Sequence, residues 1–303
     1  MTIDYSGFGA NLRLAEVPTG LLHINLRDQV DLFALGIDVG PGGNGSSVSQ
    51  MGAVTLTDDL SAAATEVEDV AATDPTSNQI TLTHARYALV RKFSDLFRAT
   101  GGPGQYNEGL IADDAAAAIA RTRSTLVTGL FSSAGANVGT SGADLTVTDI
   151  YSAIFELQDD LNEAPFDCVL HQAQVSDVQT SLRSEGGAAQ FQAPTDDMLR
   201  AKSPGFLGSW HNVNFYSSAQ VATANMGADR QGAMFARGAF GFSELDLSNI
   251  PGVAGVVQVP GAVRAIIEID RTGTAATTAY TVHYYPAVAL MEANRMVSIT
   301  TDA

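Results

Sequence analysis

The chain has 303 residues, 45% of them hydrophobic and only 16% charged, against roughly 25% charged in an average soluble domain. Its 33 acidic and 16 basic residues leave a net charge of −17, a surface that repels phosphate and anionic lipid and so argues against tight, direct binding of nucleic acid or membrane. The lone cysteine, Cys168, excludes intrachain disulfides and a thiolate metal cage.

The length fits two ordinary domains, or one with large extensions. The start Met1-Thr2-Ile3-Asp4-Tyr5 has neither a basic nor an apolar leader region, so no signal peptide is expected. No apolar run approaches the roughly 18 residues of a spanning helix.

Residues 1–50 are broken by Gly7, Gly9, Pro18 and Gly20, hold short apolar runs at 21–26 and 30–35, and close on the glycine-rich turn 40–45. So apolar an arm is expected to lie on a neighbouring surface. Residues 51–85 carry Asp58, Asp59, Glu66, Glu68, Asp69 and Asp74 and no Lys or Arg. Strand-like ends at 53–57 and 79–83, with a turn at 74–78, predict a long two-stranded hairpin. Such a ribbon is marginal in water on its own.

Residues 86–98 reverse the sign with Arg86, Arg91, Lys92 and Arg98. After the break at 101–104, a helix is expected from Gly109 to about Phe131, with Asp113 and Asp114 near its positive end. Its apolar stripe runs Ile111, Ala115, Ile119, Leu126, Leu130. Residues 132–142 read as a Gly/Ser/Ala linker. A second helix is expected after an N-cap at Thr148, with Ile150, Ile154, Leu157 and Leu161 on one face and Pro165 as its stop. Phe166–His171 reads as a buried strand. A third helix carries Val175, Val178 and Leu182 on one face and ends at Gly186-Gly187. Strands dominate beyond: 212–216, 233–236, 263–270, 280–285 and 296–300.

Chemistry is hard to find. Gly40–Gly45 matches G-x-G-x-x-G, but Pro41 sits in the turn and Ser46–Ser49 is a poor helix start, so a bare hinge is the better reading and no cofactor is expected. The histidines His23, His84, His171, His211 and His283 lie too far apart for a helix-borne metal pair. Asp58-Asp59 and its acidic neighbours lack the spacing of a calcium loop, so no metal is expected. Asp113-Asp114 and Asp159-Asp160 read as solvated faces or caps. Cys168, mid-strand among apolar residues, reads as a small buried thiol. No catalytic residue is assigned.

The order of parts is more telling: an arm, an acidic hairpin, a basic segment, a long helix, a mixed α/β region and returning strands. This order resembles the Hong Kong-type capsid fold of tailed double-stranded DNA phage major capsid proteins. Gly205-Phe206-Leu207-Gly208 through Val213–Ser218 is similar to the family's "G-x-l-G…n-v-x-v-x-s-s" strand. Ala236-Arg237-Gly238-Ala239-Phe240-Gly241-Phe242 is similar to the segment after it, and Glu268–Arg271 with Tyr280 and Tyr284–Val288 to its closing strands.

The resemblance implies an α+β fold in five parts. These are an N-terminal arm (1–50), an extended loop (51–85), a peripheral domain with a spine helix (86–145; helix about 109–131), an axial domain (146–260) and returning peripheral strands (261–303). It implies a non-enzymatic subunit that assembles with itself, as hexamers and pentamers, into an icosahedral shell. That shell would be built in the host cytoplasm and would enclose double-stranded DNA without sequence-specific binding. Scaffolding, portal and decoration proteins are the further partners it implies.

Two departures follow. About 50 residues precede the hairpin, so no large built-in scaffold is expected. The only lysines are Lys92 and Lys202, and the loop has none, so the lysine–asparagine cross-links of some members are not expected. The charge reversal predicts that Glu66, Glu68 and Asp69 of one subunit meet Arg86, Arg91, Lys92 or Arg98 of the next. The rivals are an encapsulin-like nanocompartment shell, a soluble α/β enzyme using Cys168 or a histidine, and a tail or decoration protein.

Overall fold

The structure, a computed structural model, describes residues 31–40, 48–55, 76–96, 108–160, 162–184, 195, 205–245, 257–258, 265–272 and 276–302. In chain order these form β1 (Ile37–Asp38), β2 (Val48–Thr55), β3 (Thr76–Thr83), β4 (Tyr87–Ser94), α1 (Glu108–Gly129), β5 (Ala136–Val138), α2 (Val147–Asp159), β6 (Phe166–Leu170), α3 (Gln172–Ser184), β7 (Phe206–Trp210), β8 (Val213–Ser217), β9 (Thr223–Ala224), β10 (Asp229–Ala236), β11 (Phe240–Glu244), β12 (Val257–Gln258), β13 (Ala265–Thr272), β14 (Thr277–Tyr284), β15 (Pro286–Leu290) and β16 (Met296–Asp302). The mixture is α+β, as expected.

Among the described residues the strands make four sheets. The largest runs β5-β16-β10-β6-β8-β7, with β9 paired to β10. Its strands read as near-continuous apolar runs because both faces are covered. On one side Cys168, Leu170, Val213, Met234 and Ile299 meet Ile150, Ile154 and Leu157 of α2 and Val175, Val178 and Leu182 of α3. On the other, Val169, Tyr216, Ala233, Phe235 and Met296 meet Val127, Phe131 and the short 3-10 turn Leu32–Leu35. Gly232 belongs here for want of space: a Cβ would lie 2.8 Å from the carbonyl oxygen of Val169.

The second sheet, β12-β13-β14-β4, is antiparallel throughout. Its inner face, with Tyr280, Val282, Tyr284, Leu89 and Phe93, packs on Ala115 and Ile119 of α1. Small residues on that helix let the sheet approach closely. β1, β11 and β15 form a third sheet, joining the 31–40 segment to the C-terminal strands. β2 and β3 pair antiparallel from Val48↔Thr83 to Thr55↔Thr76.

Several local expectations shift. α2 starts two residues early: its cap is Thr146, in a reciprocal box with Asp149 whose amide donates to Thr146 Oγ1 at 3.3 Å. Thr148 lies inside the helix, where its carbonyl accepts from Ser152. The helix ends at Asp159, before Pro165 is reached. The "linker" at 132–142 holds β5, which pairs parallel with β16. Thr76–Asn78, read as turn, are β3 residues laddered to Ala53–Thr55, so ladder pairing overrides their turn chemistry. The turn at 40–45 and the acid pair Asp58-Asp59 fall wholly or mainly outside the described residues.

Candidate functional site

Glu66, Glu68, Asp69 and Arg98 lie outside the described residues. Of the basic segment, Arg91 and Lys92 sit on β4 and Arg86 in the three-residue connector before it. A strand points successive side chains to opposite faces. Arg91 therefore faces α1 and donates from Nε and Nη2 to Asp114 Oδ2 at 2.9 and 2.7 Å. Lys92 pairs in register with Ala279 on the outer, exposed face. Arg86 Nη2 donates to His283 Nδ1 at 3.2 Å. A cluster in sequence is thus divided between two surfaces.

The most concentrated charge in the structure was not legible as a site. Arg123 of α1 is buried and donates through Nε to Glu244 at 2.9 Å and to the Tyr284 hydroxyl at 2.8 Å. Its Nη2 also reaches Glu244, its Nη1 reaches Asp31, and the Tyr284 hydroxyl donates to Glu244. The guanidinium lies 5.2 Å from the Phe33 ring centre and 5.7 Å from that of Tyr284. Burial works against its charge, but Tyr284, Asp31 and Glu244 more than offset that and hold its pKa above the usual value. Burial pushes the Tyr284 phenol up as well, against the pull of Arg123. Four segments meet here: the 31–40 stretch, α1, β11 and β14. The arrangement is a joint, with its donors and acceptors spent on one another. One signal was available. Ala115, Ile119, Arg123, Val127 and Phe131 fall at four-residue spacing, so Arg123 sits in the buried stripe itself.

A second joint surrounds Asp229, fully buried at the start of β10. It accepts from Ser141 Oγ at 2.6 Å and the Gly142 amide at 3.0 Å, and from Asn225 Nδ2. The Ser141 and Asn225 bonds hold this carboxyl below its ordinary range. Gln174 of α3 does similar work, donating to Thr301 Oγ1 at 2.9 Å and to the carbonyls of Arg230 and Ile299.

Among the described residues the potentially reactive side chains are buried or engaged. Cys168 is fully buried opposite Met234, and burial, with Asp167 beside it, pushes the thiol up and disfavours the thiolate. His171 Nδ1 accepts from the Ala173 amide, His211 meets the Tyr151 hydroxyl, and His84 meets Ser243. No three His, Cys, Asp or Glu side chains among the described residues converge as metal ligands. An open cleft of about 710 Å³ is bordered by Leu35, Asp167, Tyr216, Arg237 and Arg295, and no Ser, Cys or His is among the described residues that line it. Asp167 is engaged there by Asn214 Nδ2 at 2.9 Å. No described helix is long and apolar enough to cross a membrane.

No family model matches the chain, and no curated protein is similar to it in sequence. Solved structures are similar across nearly its whole length. The acid-stable capsid of Helicobacter pylori bacteriophage KHP30 aligns at a TM-score of 0.60 with 10% identity, covering 91% of each chain. The capsid of a native GTA particle aligns at 0.58 with 14% identity, covering 92% of each. The capsid of cyanophage P-SCSP1u aligns at 0.59 with 10% identity, covering 88% of this chain and 86% of that one. The sheets and helices described above are therefore those of the tailed-phage major capsid fold.

Proposed function

We propose that the chain is a structural shell subunit that self-assembles into the icosahedral head of a tailed phage enclosing double-stranded DNA, and that it catalyses no reaction. The observation that carries this reading is the whole-chain match to capsid structures, about nine-tenths of both partners in each case. The spent polar groups and the unreactive Cys168 support it.

In this reading residues 1–50 act as the arm, 51–85 as the extended loop, 86–145 and 261–303 as the peripheral domain with its spine helix, and 146–260 as the axial domain. The shell is assembled in the host cytoplasm and incorporated into the virion. Hexamers and pentamers form through contacts that cover open strand edges, such as the outer edge of β4. Specific interfaces bury on the order of 1,600 Å², and a subunit clasped on several sides exceeds that. Scaffolding, portal and decoration proteins are further partners. The acidic Glu66, Glu68 and Asp69 of one subunit set register against basic side chains of the next. Of these, Lys92 lies on the outer sheet face, whereas Arg91 is already held by Asp114 and Arg86 by His283.

The test is electron microscopy with velocity sedimentation of the full chain, alone and with each structural protein of its gene cluster. Closed shells or rings of five or six are expected. A persistent monomer in every combination overturns the reading, and shells filled with enzyme rather than DNA would identify a nanocompartment. Reversing Glu66, Glu68 and Asp69 to Lys is expected to impair assembly with the monomer's unfolding curve unchanged, and unaltered assembly would remove the electrostatic part.

A further inference from the structure

The hairpin β2-β3 joins the four-stranded sheet through only three residues, His84, Ala85 and Arg86. Each is tied down by a different partner. His84 Nε2 lies 3.1 Å from Ser243 Oγ, which itself donates to the Gly40 carbonyl at 2.6 Å. The Ala85 amide donates to the Pro286 carbonyl at 3.2 Å. Arg86 Nη2 donates to His283 Nδ1 at 3.2 Å, and His283 Nε2 lies 3.1 Å from Glu268 Oε2.

The chemistry of these groups determines the tautomer. A guanidinium only donates and a carboxylate only accepts. His283 must therefore accept at Nδ1 and carry its single proton on Nε2, which donates to Glu268. That is the neutral imidazole. Adding a second proton at Nδ1 removes the acceptor that Arg86 uses and sets two cations against each other. Glu268, half exposed on β13, keeps its bond to the imidazolium. Arg86 does not. Asp270 of β13 and Lys92 of β4 share this outer face, while Arg123 and Tyr284 belong to the opposite one. Histidine is the side chain whose charge ordinarily changes between pH 5 and 8, and His283 is 9% exposed, with both ring nitrogens engaged by Arg86 and Glu268.

We infer that His283 is a proton-operated latch on the hairpin: the neutral ring holds Arg86 and fixes the connector, and protonation releases Arg86 and loosens the hairpin's root. The inference concerns the chain itself and holds whether or not it assembles into shells. The Ala85 and His84 ties remain after release, so the root loosens without detaching.

Hydrogen exchange of the full chain, read by mass spectrometry in peptides spanning 82–90 at pH 8 and pH 5 and corrected for intrinsic rates, tests this. Wild type is expected to lose about tenfold of its protection there at pH 5, the scale of one lost charge-assisted bond. His283→Gln offers an acceptor and a donor at every pH, and its protection is expected to stay high at both. Arg86→Met is expected to be fast at both. Equal wild-type protection at the two pH values overturns the latch. So does an acid loss that survives in His283→Gln, or one that survives in Arg86→Met should the glutamine variant not fold. A loss abolished only by His84→Gln would assign the effect to the other histidine and equally overturn the proposal.

Discussion

The seven-stranded sheet and the four-stranded sheet are built by opposite rules. The first is covered on both faces, by α2 and α3 on one side and by Leu32, Phe33, Val127 and Phe131 on the other. Among the described residues the second is covered by the alanine-rich part of α1 on its inner face. Its other face shows Ala88, Val90 and Lys92 of β4 and Glu268 and Asp270 of β13, all exposed. The first sheet is stable through packing within the chain. Among the described residues the second meets one helix and one ionic joint, and the outer positions of β4 and β13 are exposed, with β4 at the end of the strand order. In a shell subunit those are the surfaces a neighbour needs.

Three measurements sharpen or break this contrast. The largest effect is expected from removing charge at the joint. Arg123→Met leaves Glu244 and Asp31 facing each other without their cation, and should cost about 3–5 kcal/mol in urea unfolding. On β4, facing the same helix, Arg91→Ala removes the exposed pair with Asp114 and should cost under about 1 kcal/mol. Equal costs would mean that the joint does not carry the second sheet.

Next comes a matched pair of aromatic truncations. Phe235→Ala, in the doubly covered sheet, is expected to cost about 3–5 kcal/mol. Phe93→Ala, half-buried on the edge strand, is expected to cost roughly half as much by the area it covers. A reversed order would contradict the contrast between the sheets.

The smallest effect is a pH dependence. Asp229 titrates below the ordinary carboxylate range because Ser141 and Asn225 donate to it. A depressed folded pKa contributes stability that is full above the unfolded value of about 3.9 and is lost as pH falls through the folded one. Thermal unfolding of Asp229→Asn should therefore show a lower midpoint at neutral pH and a shallower decline with acid. A decline as steep as wild type would remove Asp229 from the acid response.

The contrast also explains which parts were legible. Phe166–His171 reads as a buried strand, and Ala233–Ala236 as a short strand run, because both faces of the sheet demand apolar residues there. β4 did not read as a strand at all, because its outward positions carry charge and small residues, and the basic sign of 86–98 drew attention instead. β5 hid in a Gly/Ser/Ala stretch, since its pairing with β16 is made by backbone groups that any residue supplies. Thr148 was taken for a cap because it begins the apolar spacing, whereas Thr146 with Asp149 three residues on forms the reciprocal pair.

The amino-acid sequence alone determined the α+β class, the three helices of the described residues and the order of parts that resembles the capsid fold, because periodicity and punctuation are local properties. It also set the absence of a legible catalytic pattern. Which charged and polar side chains meet was decided only in three dimensions. Arg123 and Glu244 lie 121 residues apart, and Arg86 and His283 lie 197 apart. No local pattern encodes a partner so distant; packing of β11 and β14 on α1 brings the first pair together, where the low dielectric of the interior makes each bond matter, and the pairing of β4 with β14 brings the second.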